Sequence, residues 1–292
     1  MARALFVFTP AESGRLIGKA VAQLDEVQYA LKQSNMLICH GPTNIFVLEE
    51  LLGKEKLSEF MDPSAYALGM ITQGILCLSA KARTTPQLIF KKGVITPAPE
   101  RMSEALLDFD SDSVVIKGAS AIDKEGNAAV LAANHEGGTS GQAIGTIVAR
   151  GIHLIVPVGM GKLVPSVRQS VSLCGQLTFD YSQGLRMGMV PLSNAKVVTE
   201  IEAIKILTGV DAFHVASGGI NGSEGSVVMV AEGEQGAMSK AIDLVESIKG
   251  EPARQIPRLS CKNCVDGPQI LSRCQFRGKK EEELPLFMRN LL

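Results

Sequence analysis

Short, continuous apolar runs that alternate with helical patterns are the feature that most constrains this chain. Residues 36–40, 113–117 and 152–158 are such runs, and apolar residues recur at helical spacing in segments such as 45–52. Strands that are apolar throughout must be covered on both faces. The pattern therefore predicts an α/β fold with a mostly parallel, Rossmann-like sheet flanked by helices, joined by right-handed crossovers.

Local signals place several helix ends. Thr9 and Glu12 are spaced as a capping box around Pro10, which predicts the start of a first helix. Glycine-rich residues 137–141 predict the start of a helix that runs through Arg150. Residues 163–173 are expected to form a further helix, entered through a proline.

Two domains and a tail are expected. Residues 1–186 carry the strand–helix alternation and form the ligand-binding α/β domain. The order then becomes strand, helix, strand, strand, helix, which is typical of a smaller ferredoxin-like α+β domain over residues 187–250. Its elements are expected at residues 196–198, 201–207, 212–216, 226–231 and 235–248. Residues 251–292 are polar, contain proline and cysteine, and are expected to form a Cys-bearing tail.

Composition excludes some classes of function. Lys and Arg number 29, Asp and Glu number 30, tryptophan is absent and aromatic residues make up only 4% of the chain. Nucleic-acid binding needs phosphate neutralisation and stacking surfaces, so it is not expected. No stretch approaches the roughly 18 apolar residues of a membrane span, and no signal peptide is evident. We therefore expect no membrane partner and a cytoplasmic location, where the six cysteines stay reduced.

The first candidate loop follows the apolar run 36–40 and contains Gly41, Thr43 and Asn44. Free backbone N–H groups and the helix dipole at a helix N-terminus favour a phosphate or carboxylate. Thr43 and Asn44 could bond such an anion together with Gly41. The alternative is that Thr43 merely caps the following helix.

Two further loops carry polar groups after strand-like runs. The second contains Lys117, Gly118, Ser120 and Asp123, and Asp123 is the best-placed carboxylate for acid–base chemistry or for holding a hydroxyl. The alternative is that Asp123 belongs to a hairpin turn. The third loop offers a carboxylate, two glycines and two hydroxyls ahead of a helix, namely Glu136, Gly137, Gly138, Thr139 and Ser140.

These motifs resemble the superfamily of ribose-5-phosphate isomerase and the coenzyme A transferases, over about residues 11–248. Residues 40–44 stand in the place of the isomerase's phosphate loop, and residues 117–123 resemble its Asp-Gly-Ala-Asp-x-x-Asp segment. Residues 136–141 are similar to its glycine-rich loop, and residues 154–164 to its Val/Ile strand followed by Lys-Leu-Val. The coenzyme A transferases are similar at residues 41–43 and 123–127. The resemblance implies a sugar-phosphate or coenzyme A thioester ligand.

The chain also departs from these families. Lys117 and Ser120 replace two of the isomerase's three aspartates, and only Asp123 is kept. The isomerase's glutamate base falls at Gln142 or Ala143, so Glu136 is the candidate substitute. Residues 65–78 correspond to the segment that carries the transferases' acylated glutamate, and they contain no carboxylate.

Two functions follow from the sequence. In the first, the three loops bind a phosphorylated sugar or coenzyme A thioester, with Asp123 and Glu136 as catalytic residues if the protein is an isomerase-like or transferase-like enzyme. In the second, the protein is a non-catalytic metabolite or redox sensor that uses its C-terminal cysteines. A scaffolding role is a third alternative, and a homo-oligomer is left open.

The remaining motif is Cys261-x-x-Cys264 followed by Cys274. Two cysteines at this spacing can share one metal, so zinc or an iron–sulfur cluster is a candidate cofactor. Three incidental thiols are the alternative. The fourth ligand could be Cys174, His214, water or a residue of a partner.

The other cysteines and histidines are expected to be structural. Cys39 and Cys77 lie in apolar runs and are predicted to be core residues. His153 and His214 are flanked by apolar residues and are predicted to be core histidines.

Overall fold

The computed structural model describes residues 1–79, 85–258, 260–264 and 274–289. Its strands are β1 (Ala2–Phe8), β2 (Asn35–Ile38), β3 (Gly69–Thr72), β4 (Ile75–Leu78), β5 (Leu88–Lys91), β6 (Val94–Pro97), β7 (Val114–Ile116), β8 (Ala121–Ile122), β9 (Ala128–Ala132), β10 (His153–Pro157), β11 (Gly188–Pro191), β12 (Ala195–Val198), β13 (Asp211–Gly218) and β14 (Ser226–Gly233). Its α-helices are α1 (Pro10–Ala22), α2 (Asp25–Gln33), α3 (Pro42–Leu52), α4 (Lys54–Phe60), α5 (Met102–Ala105), α6 (Gly138–Arg150), α7 (Val167–Leu173), α8 (Glu200–Thr208), α9 (Gln235–Ile248) and α10 (Leu286–Arg289). Short 3-10 helices span Pro63–Ala65, Met160–Lys162 and Glu281–Glu283.

A six-stranded sheet in the order β12-β10-β7-β2-β5-β6 lies at the centre. Strands β12, β10, β7 and β2 are parallel, whereas β5 and β6 run antiparallel to their neighbours. The α/β class is confirmed, and the sheet is mixed. The two antiparallel strands form a hairpin whose turn is Lys92-Gly93, both at positive φ, as a two-residue hairpin loop requires.

Both faces of this sheet are buried, as the continuous apolar runs predict. Met36 and Ile38 of β2 belong to one core cluster, whereas Leu37 and Cys39 belong to a second cluster. The alternation follows from the two-residue period of a strand. Residues of α1, α3 and α8 cover the first face, and residues of α5 and α6 cover the second.

A second, three-stranded antiparallel sheet has the order β1-β14-β13. The hairpin of β13 and β14 and the helices α8 and α9 lie where the sequence predicts them. The placement of residues 196–198 in this module is wrong, because β12 pairs in parallel with β10 in the central sheet. Val198 is buried there in the main core, and β1 is the third strand of the small sheet instead. The domain boundaries at 186 and 250 stay predictions.

The start of α1 and the bounds of α9 agree with the sequence prediction, whereas α7 begins later than predicted. Thr9 and Glu12 form both hydrogen bonds of the predicted capping box, and α9 spans the predicted residues. The helix predicted over 163–173 begins only at Val167, because Ser166 caps it by accepting a hydrogen bond from the Gln169 N–H. Among the described residues, no helix is long and apolar enough to cross a membrane.

Candidate functional site

Four parallel strands of the central sheet end side by side. Cys39 and Lys117 follow β2 and β7, and the backbone N–H of each donates to the neighbouring strand, to Ile116 O and Ile155 O respectively, both at 2.9 Å. Beyond β10, the Val158 N–H donates to Val198 O of β12 at 3.0 Å. The turns that follow these strands therefore share one edge of the sheet, where ligands of open α/β proteins usually bind.

A small cavity lies against this edge. Its walls include Lys117 of the second predicted loop, Thr139 and Ser140 of the third, and Cys39, which lies just before the first loop. Its volume is about 10 Å³, near the lower limit for one water molecule. The cavity therefore does not enclose a ligand as large as a sugar phosphate.

Lys117 is half-buried at the centre of this edge. Its ammonium group has no ion pair or hydrogen bond to any residue in the described part of the chain. Burial lowers the pKa of Lys117 below its usual value. A cation removed from water without a counter-ion is unfavourable, so this position favours a bound anion.

Lys162 is a second half-buried cation near the first. It lies in the Met160–Lys162 3-10 helix and donates a 2.8 Å hydrogen bond from Nζ to Ala119 O. Burial and the positive charge of Lys117 lower the pKa of Lys162 to about 8, and Glu200 opposes this change. Among the described residues, neither lysine forms a salt bridge.

Glu200 is the buried carboxylate of this region. It is the first residue of α8, its exposed fraction is 0%, and its Oε2 accepts a 2.8 Å hydrogen bond from the Met160 N–H. Its Oε1 has no hydrogen-bond partner among the described residues. Burial raises the pKa of Glu200, although a Ser13 side-chain hydrogen bond opposes this.

Two predicted ligand residues carry buried oxygens without a partner among the described residues. These atoms are Ser140 Oγ and Asn44 Oδ1, in side chains that are 4% and 0% exposed. Asn44 Nδ2 donates to Cys39 O at 2.8 Å, which fixes the amide at the end of β2. A buried polar atom without a partner is unfavourable. The Ser140 hydroxyl could donate or accept a hydrogen bond with a ligand, whereas Asn44 Oδ1 could only accept one.

The alternative that Thr43 caps α3 is wrong. The cap is Gly41, which is buried, and no side chain caps the helix. Pro42 occupies the first helical position, so Thr43 already lies within the first turn and is half-buried there.

His40 and Cys39 directly precede the first loop, and burial favours the uncharged form of both side chains. His40 Nε2 lies 2.8 Å from Thr85 O, and the His40 ring meets the Tyr66 ring edge-on. Burial lowers the pKa of His40 to about 4, and burial raises the pKa of Cys39 to about 11. Cys39 is a core residue, as predicted, and its protonated thiol is a poor nucleophile at neutral pH.

Asp123 forms the hairpin turn that was the alternative to a catalytic role. It joins β8 to β9, and its buried carboxylate accepts hydrogen bonds from the backbone and side chain of Asn127 and from the Val167 N–H at 2.9 Å. Burial raises the pKa of Asp123, but these hydrogen bonds lower it by a larger amount. The pKa of Asp123 is therefore below its usual value. The geometry assigns this carboxylate to the turn and to the start of α7.

Of the other predicted residues, only Thr139 is among the walls of the cavity, and their surroundings differ. Glu136 is exposed and accepts a 2.6 Å hydrogen bond from Gln142 Nε2, while the Ser120 hydroxyl accepts from the Leu131 N–H within the small sheet of β8 and β9. Gly137 has a φ of 78° and a Cβ there would lie 2.9 Å from Val190, so a side chain does not fit. Gly138 and Thr139 open α6 and are half-buried, and Gly118 has open space around it.

Three of the structural assignments need correction. His153 is exposed rather than a core residue, because it opens β10 at the end of the strand. His214 is only half-buried, with Nε2 2.7 Å from Ser217 Oγ. Cys77 is half-buried and lines a cavity with the three tail cysteines, so it is not a simple core residue.

The three predicted metal ligands line one cavity together with residues of β4. These ligands are Cys261, Cys264 and Cys274. Among the described residues, no three His, Cys, Asp or Glu side chains already form a group that could hold a metal ion. Zinc and iron–sulfur binding stay predictions.

Sequence reasoning missed Lys162 and Glu200 as site residues. Both lie just beyond parallel strands, five residues after β10 and two residues after β12, and that position was the available signal. Fold and site together define an α/β protein with two lysines at the carboxyl edge of a mixed sheet, neither of which forms a salt bridge with a described residue. No protein-family model, curated protein or solved structure matches this chain. The kinship with ribose-5-phosphate isomerase and the coenzyme A transferases stays a prediction.

Proposed function

We propose that this protein binds an anionic small molecule at the carboxyl edge of its parallel strands. The observation that carries the proposal is the half-buried Lys117, which has no partner in the described chain and lies near a second lysine. An anion between Lys117 and Lys162 would supply the missing counter-ion and reduce the repulsion between the two positive charges.

The surrounding groups favour a phosphate or carboxylate end of the ligand. Helices α3 and α6 begin at this edge, and the first turn of α6 carries Ser140, whose buried hydroxyl has no partner among the described residues. The Ser140 hydroxyl can donate to an anion, as can the free N–H groups of a helix N-terminus. Since the cavity has room for about one water molecule, a single oxygen of the anionic group could enter it. The remainder of a phosphorylated sugar or coenzyme A thioester would lie over the open turn at Gly118.

An isomerase or transferase reaction would need an acid–base group near the anion. Asp123 is engaged by four hydrogen bonds and Glu136 is exposed, so Glu200 is the stronger candidate. Its Oε1 has no partner among the described residues, burial raises its pKa, and it is close enough to Lys162 to influence the pKa of that lysine. We also propose that the central sheet is Rossmann-like and that the protein is cytoplasmic.

Titration calorimetry with sulfate, ribose 5-phosphate and acetyl-coenzyme A tests this proposal. Wild-type protein should bind at least one of these probes, and Lys117→Gln should weaken binding by at least about tenfold, the equivalent of about 1.4 kcal/mol. Lys240→Gln is the matched control, because Lys240 is an exposed lysine on α9. Absence of binding by wild-type protein, or equal affinity in the two variants, would overturn the proposal.

The second candidate, a metabolite or redox sensor, is favoured by a separate observation. Four cysteines, rather than the three expected, line one cavity. That cavity involves other residues than the anion site, and its chemistry is argued next.

A further inference from the structure

Cys77, Cys261, Cys264 and Cys274 line a single cavity of about 20 Å³. This volume fits one water-sized or ion-sized occupant. Leu76, Leu78 and Phe276 contribute apolar walls. The cavity thus combines four sulfur atoms, which suit a soft metal ion, with apolar walls.

Two distant parts of the chain build this cavity. Cys77 lies on β4, in the hairpin of β3 and β4. The other three thiols come from the tail, which is held against the hairpin by an antiparallel bridge between Ser79 and Arg258. Within the tail, the Gly278 N–H donates to Cys261 O at 2.7 Å, which joins the two cysteine-bearing turns.

We propose that these four cysteines bind one divalent thiophilic ion such as Zn²⁺, with Cys77 as the fourth ligand. Four thiolates at tetrahedral positions form the usual closed, structural type of zinc site. The size of the cavity suits a single ion and leaves no room for a four-iron cluster. The proposal differs from the sequence-based candidates, in which Cys174, His214 or water completed the set.

Hydrogen-bond donors face the sulfurs, although burial raises the pKa of the Cys77 and Cys274 thiols. The backbone N–H groups of Phe276 and Arg277 interact with the Cys274 sulfur, and the Leu78 N–H interacts with the Cys77 sulfur. The guanidinium Nη1 of Arg258 lies 3.6 Å from Sγ of Cys261. Donors of this kind offset the negative charge of metal-bound thiolates and orient them.

Ion binding has to draw the sulfurs inward. The four thiols are not already a group that could hold an ion, and zinc requires Zn–S distances of about 2.3 Å. Because the thiols must lose their protons, binding should release protons and tighten as the pH rises. The bound ion would fix the tail to the β3–β4 hairpin.

Cobalt substitution of the full chain tests this site. Anaerobic wild-type protein titrated with Co²⁺ should bind one ion, with sulfur-to-metal charge-transfer bands and the visible d–d bands of a tetrahedral tetrathiolate. Cys77→Ser should shift the d–d bands to higher energy and weaken binding by at least about tenfold. Cys174→Ser, at a half-buried cysteine outside the cavity, is the matched control and should behave as wild type.

Circular dichroism establishes that each variant is folded before the titration. If Cys77→Ser fails to fold, limited proteolysis of wild-type protein replaces it, and added Zn²⁺ should slow cleavage within residues 251–289 at least severalfold. The proposal is overturned if folded wild-type protein binds no Co²⁺, or if Cys77→Ser keeps the wild-type spectrum. It is also overturned if Cys174→Ser is the variant that loses the ion, or if Zn²⁺ leaves cleavage unchanged.

Discussion

At the scale of single residues, the site depends on two lysines that form no salt bridge with a described residue. Lys117 was a candidate from its loop, but its pairing with Lys162 could be recognised only once the strands were aligned, because the two lie 45 positions apart. Asp123 illustrates the opposite case. Its segment resembles a catalytic motif, but its hydrogen bonds show the hairpin chemistry that the sequence allowed equally.

Asp123→Asn should lower the free energy of unfolding by about 1–3 kcal/mol, because the charged acceptor for the Asn127 and Val167 N–H groups is lost. The folded pKa of Asp123 is lowered, so its stabilisation is present above the unfolded pKa and disappears as the pH falls through the folded pKa. The difference in stability between variant and wild type should therefore begin to shrink below about pH 4. Urea unfolding at pH 7 and pH 3 measures both effects.

The exposed Asp243 on α9 provides the control, since Asp243→Asn should change stability by less than about 0.5 kcal/mol. If Asp123→Asn were as stable as Asp243→Asn at pH 7, the hairpin role of Asp123 would be refuted.

At the scale of elements, helices could be predicted from local sequence more fully than strand partners. The Thr9–Glu12 cap and the bounds of α9 follow from residues within a few positions of each helix end. The partner of β12 depends on β10, about 40 residues earlier, and no local pattern specifies that pairing. The short hairpin of β5 and β6 was also missed, although its pairing is local and Gly93 lies in its two-residue turn.

The close packing of α1 on α3 depends on small residues. A Cβ at Gly18 would lie 2.8 Å from the backbone carbon of Phe46 in α3. Gly18→Ala should therefore lower the free energy of unfolding by about 1–3 kcal/mol, although alanine favours a helix. Gly145 in α6 has open space, so Gly145→Ala should raise stability by about 0.5–1 kcal/mol. Thermal unfolding of both variants checks the opposite signs, and a stabilising Gly18→Ala would contradict this packing.

At the scale of the whole molecule, a buried ion network joins the tail to the α/β core. Arg15 on α1 contacts Glu49 and Glu50 on α3 at 2.5 and 2.9 Å and Glu251 of the tail at 2.9 Å. The side chains of Arg15 and Glu49 are only 5% and 4% exposed. Composition could not predict this network, because its members are spread over 236 positions of the chain.

Arg15→Met should destabilise the protein by about 3–5 kcal/mol, because it leaves the buried carboxylate of Glu49 with one partner fewer. Lys19→Met is the control at a neighbouring position that is 32% exposed, where the loss should be below about 1 kcal/mol. Equilibrium urea unfolding compares the two, and equal losses would argue against a buried network.

The charge state of Lys162 tests the anion site most directly. Its folded pKa of about 8, against 10.5 without perturbation, means that an anion should bind tightly below pH 8 and weaken as the pH rises through it. A bound anion should in turn raise this pKa. Carbon-13 NMR of reductively methylated lysines, titrated with and without sulfate and assigned with Lys162→Arg, measures the pKa. We predict a value near 8 that rises in saturating sulfate, whereas a value near 10.5 that sulfate leaves unchanged would contradict the site.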